Sequence, residues 1–390
     1  MNTSEIHPLP KETFESLMKR RALHCVSIYL PMDKQGKEQN RHLAQARLKQ
    51  CINEVKRALA EHQMHEDQIT TYLQPIEQLL HQVTLWRNPS DGLVIFLDPE
   101  EGMRYFQIPI PFEVQTYVAG HFYLLPLLPL YHGDGQYYVL ELSQDYVRLY
   151  KASRYGFEDQ NIEDFAPHRL EEAVGYDYAP KMFQFRSGQN VHSAGSFHGH
   201  GEGKDDRKKE LITFFREIDK GVKKVVSGQN IPLVLACVDE VYDVYKEAST
   251  YPALFDKNLE GDPEFKGKTS LHQASWDLIE PYFKQIQEEK RTKFTESYHT
   301  PKTSYEIDSI IKAALNGKVD TLFIQKGTEV YGIYDRENDV VALDTKKDTN
   351  NASLTNLTAL ETYRQGGAVY ILPSTEMPIK ERVMNALFRY

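Results

Sequence analysis

The sequence predicts an α/β protein of three domains, and three observations carry the prediction. A chain of 390 residues exceeds what one hydrophobic core usually serves. Along it, apolar residues recur at helical steps of three and four in some stretches and form short β-branched and aromatic runs in others. Passages rich in glycine, proline and aspartate punctuate the chain near residues 132 and 268, which sets domains at 1–132, 133–268 and 269–390.

In the first segment, His24 to Tyr29 reads as a strand closed by Pro31. Ala44, Leu48, Ile52, Val55 and Leu59 stripe a helix over roughly 41–61, and Ile69, Leu73, Ile76, Leu80 and Val83 stripe a second, which Pro75 is expected to kink or split. Arg41, Arg47, Lys49, Lys56 and Arg57 on the first helix suit a solvated face better than an RNA contact. Strands follow at 93–97 and 105–110, joined by the acidic turn Asp98 to Gly102.

After the turn at Gly133 to Gly135, residues 137–142 and 146–150 alternate around Ser143, Gln144 and Asp145 as a hairpin. Pro232 to Val238 is apolar enough for a buried strand, so the middle segment is expected to hold a mixed sheet covered by helices. A helical stretch at 270–297, broken or kinked at Pro281, leads to the last segment. There Ile307, Ile310, Ile311 and Ala314 line a helix that Asn316 and Gly317 end. Strands at 319–324, 330–334 and 340–343, a helix at 354–364 stopped by Gly366 and Gly367, and a strand at 368–372 complete an α/β sandwich.

Composition narrows the classes of function. The N-terminus is polar and interrupted by two prolines, and the most apolar run, Phe122 to Tyr131, holds Pro126 and Pro129 and is too short to span a bilayer. A cytoplasmic protein without a membrane partner is expected. Cys25, Cys51 and Cys237 lie far apart in apolar surroundings and read as reduced, buried thiols. A net charge of −10 argues against a general nucleic-acid coat.

The local balance differs between Gln184 and Val226, where nine Lys and Arg stand against six Asp and Glu. The first part of this stretch carries Gly188, Gly195, Gly199, Gly201 and Gly203 among His192, His198, His200 and small polar residues, and is expected to be a mobile loop over 187–203. From Asp205 onward, Leu211, Phe215, Ile218, Val222 and Val225 line one face of a helix. Asp205 and Asp206 suit its N-terminus, Lys220, Lys223 and Lys224 suit its last turns, and Ser227 with Gly228 ends it.

Three stretches of the tail, AALNGKVDTLFI (313–324), GGAVYIL (366–372) and MNALFRY (384–390), resemble in order the third domain of archaeo-eukaryotic class I release factors and Pelota. The runs FHGHGEGKDD (197–206) and FFREIDKG (214–221) look most like the bacterial archaeo-eukaryotic release factor family, in its family 3 form. The resemblance implies a ribonuclease H-like middle domain, a release-factor-like α/β sandwich at the C-terminus, the ribosome as partner through ribosomal or transfer RNA, and a translational GTPase. In release factors a Gly-Gly-Gln loop enters the peptidyl-transferase centre. The nearest match here is Gly188 with Gln189, and Ser187 stands where the first glycine belongs. Because a serine Cβ removes backbone freedom that the loop needs, the resemblance implies occupation of the ribosomal A site rather than efficient peptide release. Stop-codon motifs are not evident in the first domain.

The loop and helix admit three kinds of chemistry. Arg186, His198, His200, Lys204, Arg207, Lys208 and Lys209, with exposed backbone amides, suit contact with RNA phosphate, or else form an ordinary solvated face. His192, His198 and His200 have spacing that permits a divalent metal, although no fourth ligand is evident; no cofactor is expected. GHGEGKD fails as a phosphate-binding P-loop, since His198 replaces the required glycine and Asp205 the Ser or Thr. The rival class is a metal-dependent hydrolase or nuclease that uses this loop, or the acids Glu141, Asp145, Asp239 and Glu240 near strand ends.

Overall fold

The structure is a computed structural model and describes residues 9–32, 38–87, 90–131, 135–143, 146–174, 202–227, 230–261 and 267–390. The chain groups into two compact units: 1–135 with 154–156 and 282–390, and 136–153 with 157–281.

The first unit opens with α1 (Lys11–Lys19), β1 (Cys25–Pro31), α2 (Glu38–Glu61), α3 (Glu66–Leu79), α4 (Val83–Arg87), β2 (Gly92–Asp98), β3 (Gly102–Ile108) and β4 (Gln115–Ala119). Its antiparallel sheet has the order β3-β2-β1-β4. Val26, Ile28, Leu30, Leu93 and Ile95 face the stripe Ala44, Leu48, Ile52 and Val55 of α2 and Ile69, Leu73 and Ile76 of α3. The alternate residues Tyr29, Val94 and Phe96 belong to a second core. Both central strands are thus buried on two faces, which explains their nearly continuous apolar sequence. The expected second helix stops at Leu79, and Val83 starts the short α4. Pro75 stays inside α3, held there by buried Leu73, Ile76 and Leu79. Helix α1 and strand β4 had no counterpart in the sequence reading, and the apolar run 122–131 contains a 3-10 turn at Leu125–Leu130.

The second unit carries β5 (Gln136–Leu142), β6 (Val147–Ser153), β7 (Gly156–Gln160), α5 (Leu170–Val174), α6 (Glu202–Val226), β8 (Leu233–Ala236), α7 (Asp239–Ala248), β9 (Leu254–Leu259) and the first half of α8 (Lys268–Glu296). Its sheet has the order β7-β6-β5-β8-β9 and is mixed: β5 and β6 form the expected hairpin, whereas β8 runs parallel to both β5 and β9. On one face Tyr138, Leu140, Leu149, Leu233 and Leu235 pack against Phe214, Phe215, Ile218 and Val222 of α6 and Val241 and Tyr245 of α7. On the other face the Tyr137 hydroxyl meets Ser275 Oγ at 2.9 Å, and its ring lies 6.2 Å from that of Trp276, both on α8. Helices therefore layer both sides of a mixed sheet, as the order of strands and helices predicts. Pro281 neither breaks nor ends α8.

The rest of the first unit contains β10 (Thr303–Ser304), α9 (Ile307–Leu315), β11 (Val319–Gln325), β12 (Tyr331–Asp335), β13 (Val340–Asp344), β14 (Ala352–Ser353), α10 (Leu354–Arg364), β15 (Ala368–Leu372) and β16 (Met384–Phe388). They build two sheets, β10-β16-β11-β15 and β13-β12-β14. Gly317 and Gly366, the expected stops of α9 and α10, take φ of 70° and 73°, the left-handed conformation that closes a helix. Leu322, Ile324, Val369 and Ala386 share one core with Tyr29, Phe96, Phe122 and Leu124. The N-terminal and C-terminal segments, read as separate in the sequence, have this core in common.

Helix α6 shows how the candidate loop is anchored at its C-terminal side. It starts at Glu202, so Glu202 and Gly203 of the predicted loop are helical, and its buried stripe is Phe214, Phe215, Ile218, Gly221, Val222 and Val226. A Cβ on Gly221 would fall 2.7 Å from Ala166 Cβ and 3.0 Å from the Phe165 carbonyl oxygen, so glycine is what lets residues 165–166 press against the helix. Gly221→Val is expected to cost ~1–3 kcal/mol through overpacking, read as a lowered melting temperature. Gly221→Ala, which adds one carbon and gains helix propensity, is expected to cost less.

Candidate functional site

The candidate site is the N-terminal half of α6 and the chain that leads into it. Arg186, Gly188, Gln189, His192, His198 and His200 lie outside the described residues, as do Asp145 and most of the predicted 187–203 loop. Lys204 falls in the first turn of α6. Arg207 is half-buried, and Lys208 and Lys209 are exposed. The Lys208 ammonium reaches Glu247 of α7 at 2.7 Å, a pair half exposed on both sides and therefore weak enough to exchange for another anion.

The other end of α6 is fixed by a buried carboxylate that sequence reading passed over. Asp219 points inward, and its Oδ1 accepts a hydrogen bond from Ser249 Oγ at 2.6 Å. Its Oδ2 accepts one from the Thr250 amide at 3.0 Å and takes the Lys223 ammonium at 2.8 Å. Burial alone raises the carboxyl pKa, but the hydrogen bonds from Lys223, Ser249 and Thr250 outweigh it and hold Asp219 below the usual carboxylate range. Ser249 and Thr250 follow α7, so this one side chain ties the C-terminal ends of the two helices together. Its only sequence signal is an acid placed inside an apolar stripe, between Ile218 and Val222.

Among the described residues the carboxylates of the rival reading form no cluster. Glu141 is buried at the end of β5, accepts the Tyr150 hydroxyl at 2.9 Å and faces Arg148 at 3.8 Å. Asp239 accepts a hydrogen bond from the Asn258 side-chain amide at 3.1 Å, and Glu240 is exposed in the first turn of α7. Among the described residues no group of three or more His, Cys, Asp and Glu is placed to hold a metal. The three cysteines are free thiols in buried positions, as expected, and burial pushes Cys25 up to about 11 and Cys51 and Cys237 up to about 12, which removes them as nucleophiles.

Arg57 and Lys56 on α2 are tied locally, Arg57 to the Asn53 carbonyl and Lys56 to Glu77 at 2.8 Å, in keeping with a solvated face. The first unit also holds an open pocket of about 410 Å³ lined by His24, His62, Gln63, Met64, Gln68, Tyr72 and Pro99. The two imidazoles meet edge to face at 5.5 Å, and burial lowers the pKa of both. No spacing in the sequence connects His24 with His62.

Residues 137–281, which hold the candidate loop and α6, match the model of bacterial archaeo-eukaryotic release factor family 7. The resemblance to bacterial archaeo-eukaryotic release factors is therefore borne out over that stretch, and the matching form is family 7 rather than the family 3 form suggested by the two short runs. No curated protein matches the chain. Among solved structures, an archaeal translation termination factor, aRF1, is 12% identical over 97% of this chain and 96% of its own, with a TM-score of 0.23. Ribosome-bound archaeal Pelota is 14% identical over 77% of each chain, with a TM-score of 0.34. Dom34 of S. cerevisiae, a translation termination-like factor, is 10% identical over 77% of this chain and 79% of its own, with a TM-score of 0.33. Among the described residues no helix is long and apolar enough to cross a membrane.

Proposed function

We propose that the chain is a bacterial, cytoplasmic translation factor of the release or rescue type that binds the ribosome and acts by occupying the A site. The observation that carries this reading is the family match over 137–281, the stretch that contains the loop and its supporting helix. In this reading the loop 187–203 points toward the peptidyl-transferase centre, and Arg186, His198, His200, Lys204, Arg207, Lys208 and Lys209 contact ribosomal or transfer RNA. A translational GTPase partner rests on the family resemblance alone. The segments 1–132, 133–268 and 269–390 are the proposed domains of the chain, and the first and last have a core in common.

Peptide release is not the main activity in this reading, because Ser187 precedes Gly188 and Gln189. A displacement of ~1 Å at the reacting centre is enough to cost about a hundredfold in rate. The test has two parts. Tagged protein is sedimented with ribosomes through sucrose gradients, where it is expected in the ribosomal fractions; protein that remains at the top at low salt, with empty and with stalled ribosomes, overturns the proposal. Release of labelled peptide from ribosome-bound peptidyl-tRNA is then assayed, and a rate near background is expected. Rapid release lost in Gln189→Ala shows that the serine is tolerated. Stoichiometric zinc with hydrolysis lost in His198→Ala favours the metal-dependent hydrolase instead.

A further inference from the structure

We infer that the solvent face of α6 from Lys209 to Lys224 is a track for the phosphate backbone of single-stranded RNA that ends at Phe165 as a stacking platform. This extends the proposed RNA contact of the same helix and rests on it.

Lys209, Arg216, Lys220 and Lys224 are all exposed. Their spacings of seven, four and four residues keep them within a narrow angular band on the face opposite Phe215, Ile218 and Val222, with exposed Thr213 filling the long interval. At 1.5 Å of rise per residue the charges stand at roughly 10, 6 and 6 Å along a straight line. Between Lys209 and Lys224 no acid lies on the band itself. Asp219 is turned inward, and Glu217 stands beside it, bound to Lys220 at 2.6 Å in an exposed pair that a phosphate can replace. The exposed charges of α7 are Asp239, Glu240, Asp243 and Glu247 against the one cation Lys246, so the neighbouring helix is net negative and disfavours a polyanion. In a chain of net charge −10 this row of cations is a local exception.

An independent observation points to bases as well as phosphates. Phe165 is a large apolar side chain left 45% exposed, and the Lys224 ammonium lies 5.9 Å from the centre of its ring. The close approach that Gly221 permits places this residue beside the end of the band. Cations that follow a backbone, combined with an exposed aromatic ring, are the combination that binds single strands, whose bases are free to stack. A duplex hides those faces.

The full-length protein is titrated with fluorescein-labelled dodecauridine by fluorescence anisotropy at a series of salt concentrations. The wild type is expected to lose affinity with a log–log slope near −3, about 0.7 for each of four cations. R216Q/K220Q/K224Q, confirmed as folded by its thermal melt, is expected to have a slope shallower by about 2. A charge-matched control at exposed sites elsewhere, K318Q/K326Q/K380Q, is expected to leave it unchanged. Phe165→Ala is expected to weaken binding about tenfold with the slope retained. The inference is overturned if the wild type does not bind the oligomer, if the triple variant behaves like its control, or if a 12-base-pair RNA duplex or polyglutamate binds equally well. Because no ribosome is present, failure here with sedimentation intact removes the track alone. Stripe-dependent binding without sedimentation removes the ribosome reading and leaves the track.

Discussion

Asn356→Ala is expected to destabilise the first unit by about 4 kcal/mol, because its side chain answers three buried backbone groups. The carboxamide oxygen accepts the amides of Leu124 and Leu125 at 2.9 and 3.0 Å, and the amide nitrogen donates to the Phe122 carbonyl at 3.2 Å. Asn356 is fully buried at the start of α10, where Ser353 caps the helix by accepting the Asn356 backbone amide. Around it the Tyr29 hydroxyl donates to the Tyr123 carbonyl at 2.5 Å, and the Ser353 amide donates to the Tyr117 hydroxyl at 2.9 Å. Tyr123 and Ser353 both donate to Glu329, whose carboxyl pKa burial raises despite those bonds. Each buried amide left without a partner costs ~1–3 kcal/mol, and the alanine leaves two, plus a carbonyl. Calorimetry should show a fall in melting temperature of roughly 10 °C. Asn350→Ala, at an exposed site a few residues earlier, should change stability by less than ~0.5 kcal/mol. Equal effects at the two positions would show that the network does not hold the segments together.

Asp219→Ala should cost the second unit about 3 kcal/mol, since it strands the Thr250 amide and Ser249 hydroxyl and loosens the C-terminal end of α7 against α6. Hydrogen exchange should locate the loss at residues 239–250 and the second half of α6. The pH dependence has a definite sign. The folded carboxyl titrates below its unfolded value, so its stabilisation is complete above about pH 4 and is lost as pH falls through the folded value. The stability gap between wild type and Asp219→Asn should therefore be widest near neutrality and shrink in acid. A gap independent of pH would mean that the carboxylate's charge contributes nothing.

The parts of the fold legible in the sequence are those in which one strong local signal decides. The α10 helix, around 354–364, and the 368–372 strand are legible because a Gly-Gly stop separates a helical stripe from an apolar run. The hairpin of β5 and β6 followed from alternation around a polar turn. What stayed hidden depends on tertiary pairing. Strand β9 (LFDKNL) is half polar and becomes a strand by pairing parallel to β8, and α1 lies in a polar segment with only Phe14 and Leu17 buried. Pro75 and Pro281 lie inside continuous helices rather than splitting them, since packing on flanking turns outweighs one missing hydrogen bond. At the site, the stripe of α6 was legible, but Asp219 was not, because its partners Ser249 and Thr250 are 30 residues away. The row from Lys209 to Lys224 was visible only as scattered charge until the helix fixed its outer face.

The central claim, that the protein occupies the ribosomal A site with the second unit's loop toward the peptidyl-transferase centre, is tested most directly by chemical footprinting. Ribosomes are probed with hydroxyl radicals and base-specific reagents with and without the full chain, and the cleavage of ribosomal RNA is read by primer extension. The account predicts protection of A-site and peptidyl-transferase nucleotides, weakened when Arg207, Lys208 and Lys209 are replaced by glutamine. Protection confined to other surfaces, or an unchanged pattern at saturating protein, would contradict it.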